Sequence, residues 1–356
     1  LVFIKEIISA KLRAWQSRPV PHKIGKDVTT LSKVSLLLET PLSRSFRGRD
    51  FLTLHDYTTE ELLHVLRFAE SLKAEPHSPV LKGKALGMIF AKSSTRTRVS
   101  FEVGMYQLGG YALFLSQQDI QLGRGESIAD TARVLSRYLD GIMIRTYSHQ
   151  DVEELASWSS IPVINGLTDL LHPCQAMADF LTVYQRFGTL HGLKLGFIGD
   201  GNNMAHSLML GAAKFGLDFV IACPEGYQPA REIVAWARQD AAKTGASIEV
   251  VRDPQEAARG AQVLYTDVWA SMGQEEEKAA REAAFRGYQI NGRLLSMAAP
   301  DSIVLHCLPA HRGEEITDEV MEGKHSAVFD EAENRLHVQK AIMALIMRGA
   351  EKNESR

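Results

Sequence analysis

From Arg49 onward the chain alternates between short apolar runs and longer segments whose apolar residues recur at helical spacing. A strand, helix, strand repeat of this kind predicts parallel sheets covered by helices, because each crossover helix returns the chain to the start of the next strand. In the first half the predicted strands are residues 85–90, 111–115, 141–145 and 162–165. Between them, Val99, Val103 and Tyr106 share one helical spacing, and Ile128, Ala132, Leu135 and Leu139 another, with Gly109 and Gly110 stopping the first. A longer helix is predicted over 173–187, with Met177, Leu181 and Tyr184 on one stripe, ending near Gly188. A second series of strands follows at 193–198, 219–223, 248–251, 263–266 and 303–306. The last helix, 335–347, could close either half.

A chain of 356 residues is too long for one ordinary core and fits two. The expected fold class is therefore α/β with two domains, each a parallel sheet flanked by helices, and the active site in the cleft between them. The expected bounds are 48–188 and 189–334, with the last helix packing back on the first domain. Composition adds exclusions. With 45% hydrophobic residues, 23% charged residues and a net charge of -3, the chain is neither disordered nor collagen-like, and has no basic surplus for nucleic acid. No apolar run reaches the roughly 18 to 20 residues of a membrane span. Cys174, Cys223 and Cys307 lie far apart, without zinc or disulfide spacing, which points to a reducing compartment and a cytoplasmic protein. Residues 1–47 are basic, opposed only by Glu6, Asp27 and Glu39, and are expected to form a poorly ordered leader. If that leader is a transit peptide, the compartment becomes the mitochondrial matrix.

Candidate chemistry begins where the strand at 85–90 runs into a helix starting near Thr95, so that Ser94-Thr95-Arg96-Thr97-Arg98 forms the helix's first turn. Free amides and the positive end of the helix dipole bind phosphate there, with hydroxyls and guanidiniums as further donors. Two arginines in a first turn oppose the dipole unless an anion compensates them. A simple hydroxyl cap with solvated arginines is the plainer alternative, and the doubled hydroxyl–arginine repeat argues against it.

Three more motifs follow in order: His172-Pro173-Cys174-Gln175, Asp267-Val268-Trp269-Ala270-Ser271-Met272-Gly273, and His306-Cys307-Leu308-Pro309. With the first, they resemble the aspartate/ornithine carbamoyltransferase family over about 47–347, and the Ser-Met-Gly motif resembles its ornithine-using members. The resemblance implies transfer of the carbamoyl group of carbamoyl phosphate to the δ-amine of ornithine, giving citrulline and phosphate. It implies no metal and no organic cofactor, and a homotrimer or a multiple of one.

The resemblance also implies residue roles. Ser94, Thr95, Arg96 and Thr97 cradle the phosphate, and Arg145 lies near the phosphate and the carbonyl oxygen. His172 stabilises the oxyanion, Gln175 holds the amide nitrogen, the Leu308 carbonyl accepts from that nitrogen, and Arg335 approaches carbamoyl phosphate. Gln121 belongs to a loop donated to a neighbouring subunit. Asn203, Asp267, Ser271 and Met272 hold ornithine, and Cys307 with Asp267 handles the proton its amine must lose. From the residues alone, His172 could instead cap its helix, Asp267 could be an N-cap, Cys307 an inert core residue and Arg335 a surface charge.

Other classes are weaker. Gly199-Asp200-Gly201 with Glu225 is a partial dinucleotide fingerprint, but Met204 stands where the third glycine belongs. A catalytically silent relative would be expected to have lost a site residue. Aspartate would need a cationic grip, N-acetylornithine has no α-cation for Asp267, and putrescine has no carboxylate for Asn203.

Overall fold

In the computed structural model, which describes residues 33–120, 125–270 and 277–349, the apolar runs pair into two all-parallel sheets. The first contains β1 (Ala85–Phe90), β2 (Tyr111–Ser116), β3 (Gly141–Arg145) and β4 (Val163–Leu167), in the order β2-β1-β3-β4. The second contains β5 (Lys194–Ile198), β6 (Asp218–Ala222), β7 (Ile248–Val251), β8 (Val263–Tyr265) and β9 (Ile303–Leu305), in the order β7-β6-β5-β8-β9. β1 and β3 are almost wholly buried, while the edge strand β2 alternates. Helices cover both faces of the inner strands, so their sequence reads as a continuous apolar run.

The longer helices are α1 (Thr59–Ala74), α2 (Thr95–Gln107), α3 (Ile128–Leu135), α4 (His149–Trp158), α5 (Pro173–Phe187), α6 (Asn203–Phe215), α7 (Arg231–Thr244) and α8 (Val328–Met347). Local chemistry sets their ends. Thr58 and Glu61 form a capping box at the start of α1, and Pro173 occupies the first turn of α5, which stops at Gly188 with φ 72°. α8 begins at Val328, seven residues before the predicted start, and packs against α1, α2 and α5.

One helical stripe faces outward, and one expectation needs correction. The stripe of Val99, Val103 and Tyr106 does mark a helix, but these residues are exposed, and α2 turns Thr97, Phe101, Gly104 and Met105 inward. That opposite face is the one covered by α8 and β2. Residues 33–47 are not a loose leader: Lys33–Leu38 and Pro41–Arg44 are helical, and Val34, Leu38 and Phe46 join the main core. Their apolar side chains outweigh the basic composition of the segment. Residues 1–32 lie outside the described residues. Among the described residues no helix is long and apolar enough to cross a membrane.

The strand orders place the cleft. In each sheet, chain order reverses at one point, between β1 and β3 in the first and between β5 and β8 in the second. Open parallel sheets bind ligands outside the C-terminal ends of strands at such a point. The Ser94–Arg98 turn follows β1 and Arg145 ends β3, while the Gly199–Asn203 turn follows β5 and Asp267 follows β8. Residues from both switch points line a single cleft of about 670 Å³.

Candidate active site

Ser94 is the N-cap of α2, its hydroxyl accepting from the Thr97 amide at 3.2 Å. The amides of the first turn ahead of Thr97 have no intrahelical acceptor and face outward with the positive end of the dipole. Arg145 sits beside Phe90 in the β1–β3 register, where the register against β4 shifts between Ile144 and Arg145. A bulge at that place turns the side chain away from the regular pleat.

Arg96, Arg145 and Arg335 converge on this turn from α2, β3 and α8. Arg96 Nη2 donates to the Leu308 carbonyl at 2.6 Å and Arg335 Nη2 to the Thr97 hydroxyl at 2.8 Å. The Nε of each of the three is buried and has no hydrogen-bond partner among the described residues. Among the described residues no carboxylate forms an ion pair with any of the three. Burial, then the like charges of Arg335 and Arg96, pull Arg145 down to about 10, and burial and Arg96 lower Arg335 as well. Three guanidiniums held together against their own repulsion, with spare donors, suit a compact dianion.

His172 is the N-cap of α5 but makes no capping bond with its side chain, so the helix-cap reading fails. Its backbone amide donates to Ser207 Oγ at 2.7 Å. The ring is 4% exposed, and burial with the three nearby arginines holds it neutral, well below the usual histidine range. A neutral imidazole can donate its one N–H to a developing oxyanion without adding another positive charge beside the arginines. Gln175 is fully buried; its Nε2 donates to Asp179 and Glu331, and its Oε1 has no partner among the described residues.

The second sheet supplies the other wall. Asp267 is buried at the end of β8 and starts no helix, so it is not an N-cap. Its Oδ2 accepts from Asn202 Nδ2 at 2.8 Å, and its Oδ1 from the Val268 amide at 2.8 Å and the Cys307 thiol at 3.0 Å. Burial and the Asp267 charge push the Cys307 thiol well up, so it is a thiol and a donor at neutral pH. Leu308 has φ 58°, which a leucine adopts rarely, and precedes a cis bond to Pro309. Asn203 Nδ2 donates across the cleft to the Thr168 carbonyl at 2.6 Å. Ser94, Thr95, Arg96, Arg145, His172, Asn203, Asp267, Cys307, Leu308 and Arg335 all line the cleft. Gln121, Ser271 and Met272 lie outside the described residues.

Several contributors escaped the sequence reading. Asn202 caps α6, accepting from the Met204 and Ala205 amides, while its amide nitrogen orients Asp267. An asparagine just before a helix was a readable signal. Lys92, paired with Asp169 and lying 4.1 Å from the Tyr147 ring, also lines the cleft. The partial dinucleotide fingerprint has a local cause. A Cβ on Gly201 would lie 2.3 Å from the Pro229 nitrogen, so the chain's own 227–229 segment fills the space above that turn, and Glu225 pairs outward with Arg252.

Comparison with known proteins agrees with this division of the site. Residues 49–185 match the family described as aspartate/ornithine carbamoyltransferase, carbamoyl-P binding domain, and residues 191–346 match its Asp/Orn binding domain. The chain is 64% identical over 307 residues to the ornithine carbamoyltransferase of Symbiobacterium thermophilum, covering 85% of this chain and 99% of that one. It is 56% identical over 310 residues to the anabolic ornithine carbamoyltransferase of Pyrococcus furiosus, covering 86% and 98%. The solved structure of the ornithine carbamoyltransferase from Pyrococcus furiosus superposes with a TM-score of 0.83 at 55% identity, over 85% of this chain and 98% of that one.

Proposed function

Since the chain belongs to the aspartate/ornithine carbamoyltransferase family, we infer that it transfers the carbamoyl group of carbamoyl phosphate to the δ-amine of ornithine, giving citrulline and phosphate. The observation that carries this reading is the meeting of Arg96, Arg145 and Arg335 at a helix N-terminus, each with a spare buried donor, opposite an aspartate on the facing sheet. A dianion fits one wall and an ammonium the other.

Residues 48–188 form the carbamoyl phosphate domain, completed by α8, and the following residues up to α8 form the ornithine domain. Carbamoyl phosphate binds first, its phosphate on Ser94, Thr95, Arg96 and Thr97 and its carbonyl oxygen toward Arg145 and His172. Ornithine follows, held by Asn203, Asp267, Ser271 and Met272. Closure of the two walls then excludes water from the charges. The δ-ammonium gives its proton to the Asp267–Cys307 pair, and the free amine attacks the carbonyl carbon. The tetrahedral oxyanion is stabilised by Arg145, His172 and the Thr97 hydroxyl. As it collapses, the bond to the bridging oxygen breaks and the attacking nitrogen's remaining extra proton passes to the departing phosphate, which leaves as a hydrogen phosphate dianion stabilised by the arginines. Synthesis of citrulline is the working direction, and the cytoplasm the compartment.

The test is steady-state phosphate release from carbamoyl phosphate with ornithine, N-acetylornithine, putrescine and aspartate in parallel. Ornithine alone is expected to support turnover. Preference for another amine would overturn the assignment of Asp267 and its neighbours, and inactivity with all four would overturn the reaction.

The active form is a homotrimer or a multiple of one. Supporting this, Val99, Val103 and Tyr106 on α2 and Tyr111 and Leu113 on the adjoining edge strand β2 are large, apolar and exposed. Apolar patches of this kind mark association surfaces. Tyr106→Glu combined with Tyr111→Glu is expected to shift the sedimentation coefficient from trimer to monomer. An active parent that sediments as a monomer would rule this arrangement out.

A further inference from the structure

Behind the cleft, two carboxylates that the reaction does not use are buried against each other's neighbours. Asp179, one turn after Gln175 on α5, and Glu331, near the start of α8, are both fully inaccessible. Gln175 Nε2 donates to Asp179 Oδ1 at 2.8 Å and to Glu331 Oε1 at 3.0 Å. Both hydrogens of the amide are thereby used. Glu331 also accepts from the Tyr265 hydroxyl at 3.2 Å and from the His306 amide at 2.8 Å. It thus ties α5 to the end of β8 and to the turn that carries Cys307 and Leu308.

Resting on the carbamoyl transfer inferred above, we propose that Asp179 and Glu331 are positioning residues: by taking both Gln175 hydrogens, they fix that amide so its unpartnered Oε1 receives the carbamoyl NH2. An unrestrained glutamine amide can present either its oxygen or its nitrogen, and only the oxygen accepts. With the nitrogen held by two carboxyl groups, the flipped orientation would set oxygen against oxygen. His172, the N-cap residue three positions earlier, lines the cleft.

The arrangement is electrostatically expensive, which argues for a role beyond packing. An apolar pair of similar size would join α5 to α8 at least as well. Two buried carboxylates this close do not both ionise. Burial pushes Asp179 up to about 7, partly offset by its bonds to Glu331 and Gln175 and by the Arg335 and Tyr265 groups facing it. Burial and the Asp179 charge push Glu331 well up as well. Burial and mutual repulsion thus favour a proton on the pair over two full charges.

The experiment compares Asp179→Asn and Asp179→Leu in the full chain. Asparagine keeps an acceptor for Gln175 at nearly the same size and without a carboxylate's charge. Leucine removes that acceptor at similar volume. Two probes are titrated by calorimetry: phosphonoacetamide, which carries the amide on a stable phosphonate, and inorganic phosphate, which has no amide. Asp179→Leu is expected to weaken phosphonoacetamide at least about tenfold while changing phosphate less than about twofold, since a lost polar contact costs on the order of 1 to 2 kcal/mol. Asp179→Asn is expected to match the parent in both, and in kcat/KM for carbamoyl phosphate. In a Gln175→Leu background, Asp179→Leu is expected to add nothing to the ratio of the two affinities.

Unchanged phosphonoacetamide binding by Asp179→Leu would overturn the proposal. So would equal loss of both probes, or a folded Asp179→Asn as impaired as Asp179→Leu. A parent that binds the amide probe selectively but does not use ornithine would refute the substrate assignment and leave the positioning role standing.

Discussion

Arg96→Ala is expected to lower kcat/KM for carbamoyl phosphate by about two to three orders of magnitude, the loss typical of removing one preorganised charged donor from a transition-state site. The side chain reaches from the first turn of α2 to the Leu308 carbonyl on the opposite wall. Its removal therefore takes one of three charges from the phosphate cradle and one of the bonds that draws the walls together. The three arginines repel one another, so the variant is expected to fold at least as well as the parent. A melting temperature equal to or above the parent's, alongside crippled binding, is the signature of a site built against stability. Arg96→Lys is expected to recover little, because an ammonium cannot reproduce the planar fork that meets a phosphate and a carbonyl together. A KM for carbamoyl phosphate within about threefold of the parent's would remove Arg96 from the cradle, threefold being less than a single ordinary hydrogen bond contributes.

Asp267→Asn is expected to fall mainly on ornithine, with kcat/KM for that substrate reduced by about a hundredfold or more and phosphonoacetamide affinity almost unchanged. The substitution keeps the shape and one acceptor for the Val268 amide and the Cys307 thiol. It removes the negative charge that an ornithine ammonium would pair with, and it sets an amide nitrogen against that of Asn202. It also removes the charge that helps push the Cys307 thiol up, so thiol titration is expected to move down in pH. The measurement is a pair of saturation curves, one for each substrate. Equal damage to both would mean that the two walls do not divide the substrates between them.

Much of this molecule was legible in its sequence for simple reasons. Inner parallel strands are covered on both faces and read as apolar runs, so residues 85–90 and 141–145 stand out at their true limits; the edge strand 248–251 is also read at its limits, and the other strands differ by a residue or two at their ends. Pro173 at a helix start and Gly188 at its end are local signals, and the predicted bounds of α5 coincide with the observed ones. The α2 stripe shows where such reasoning stops. Val99, Val103 and Tyr106 have helical spacing, yet periodicity says only that a helix has an apolar face, not whether this chain or another copy covers it. The basic composition of 33–47 misled in the opposite direction, because Val34, Leu38 and Phe46 reach the core while the charges between them stay in solvent.

The sequence by itself determined the α/β class, the positions of the strands, the anion-binding turn at Ser94–Arg98 and the four motifs that place the chain in its family. Each of these is a property of residues close together in the chain, where propensity, capping and spacing act. Tertiary structure alone decided which distant groups meet. Asn202 against Asp267, Arg335 against Thr97, and Gln175 between Asp179 and Glu331 join residues up to 238 positions apart. Glu331 and Asp179 look like ordinary surface acids in a linear reading. Only the packing of α8 onto α5 removes their water, and that desolvation, not their identity, raises the pKa of both and leaves them as acceptors for Gln175.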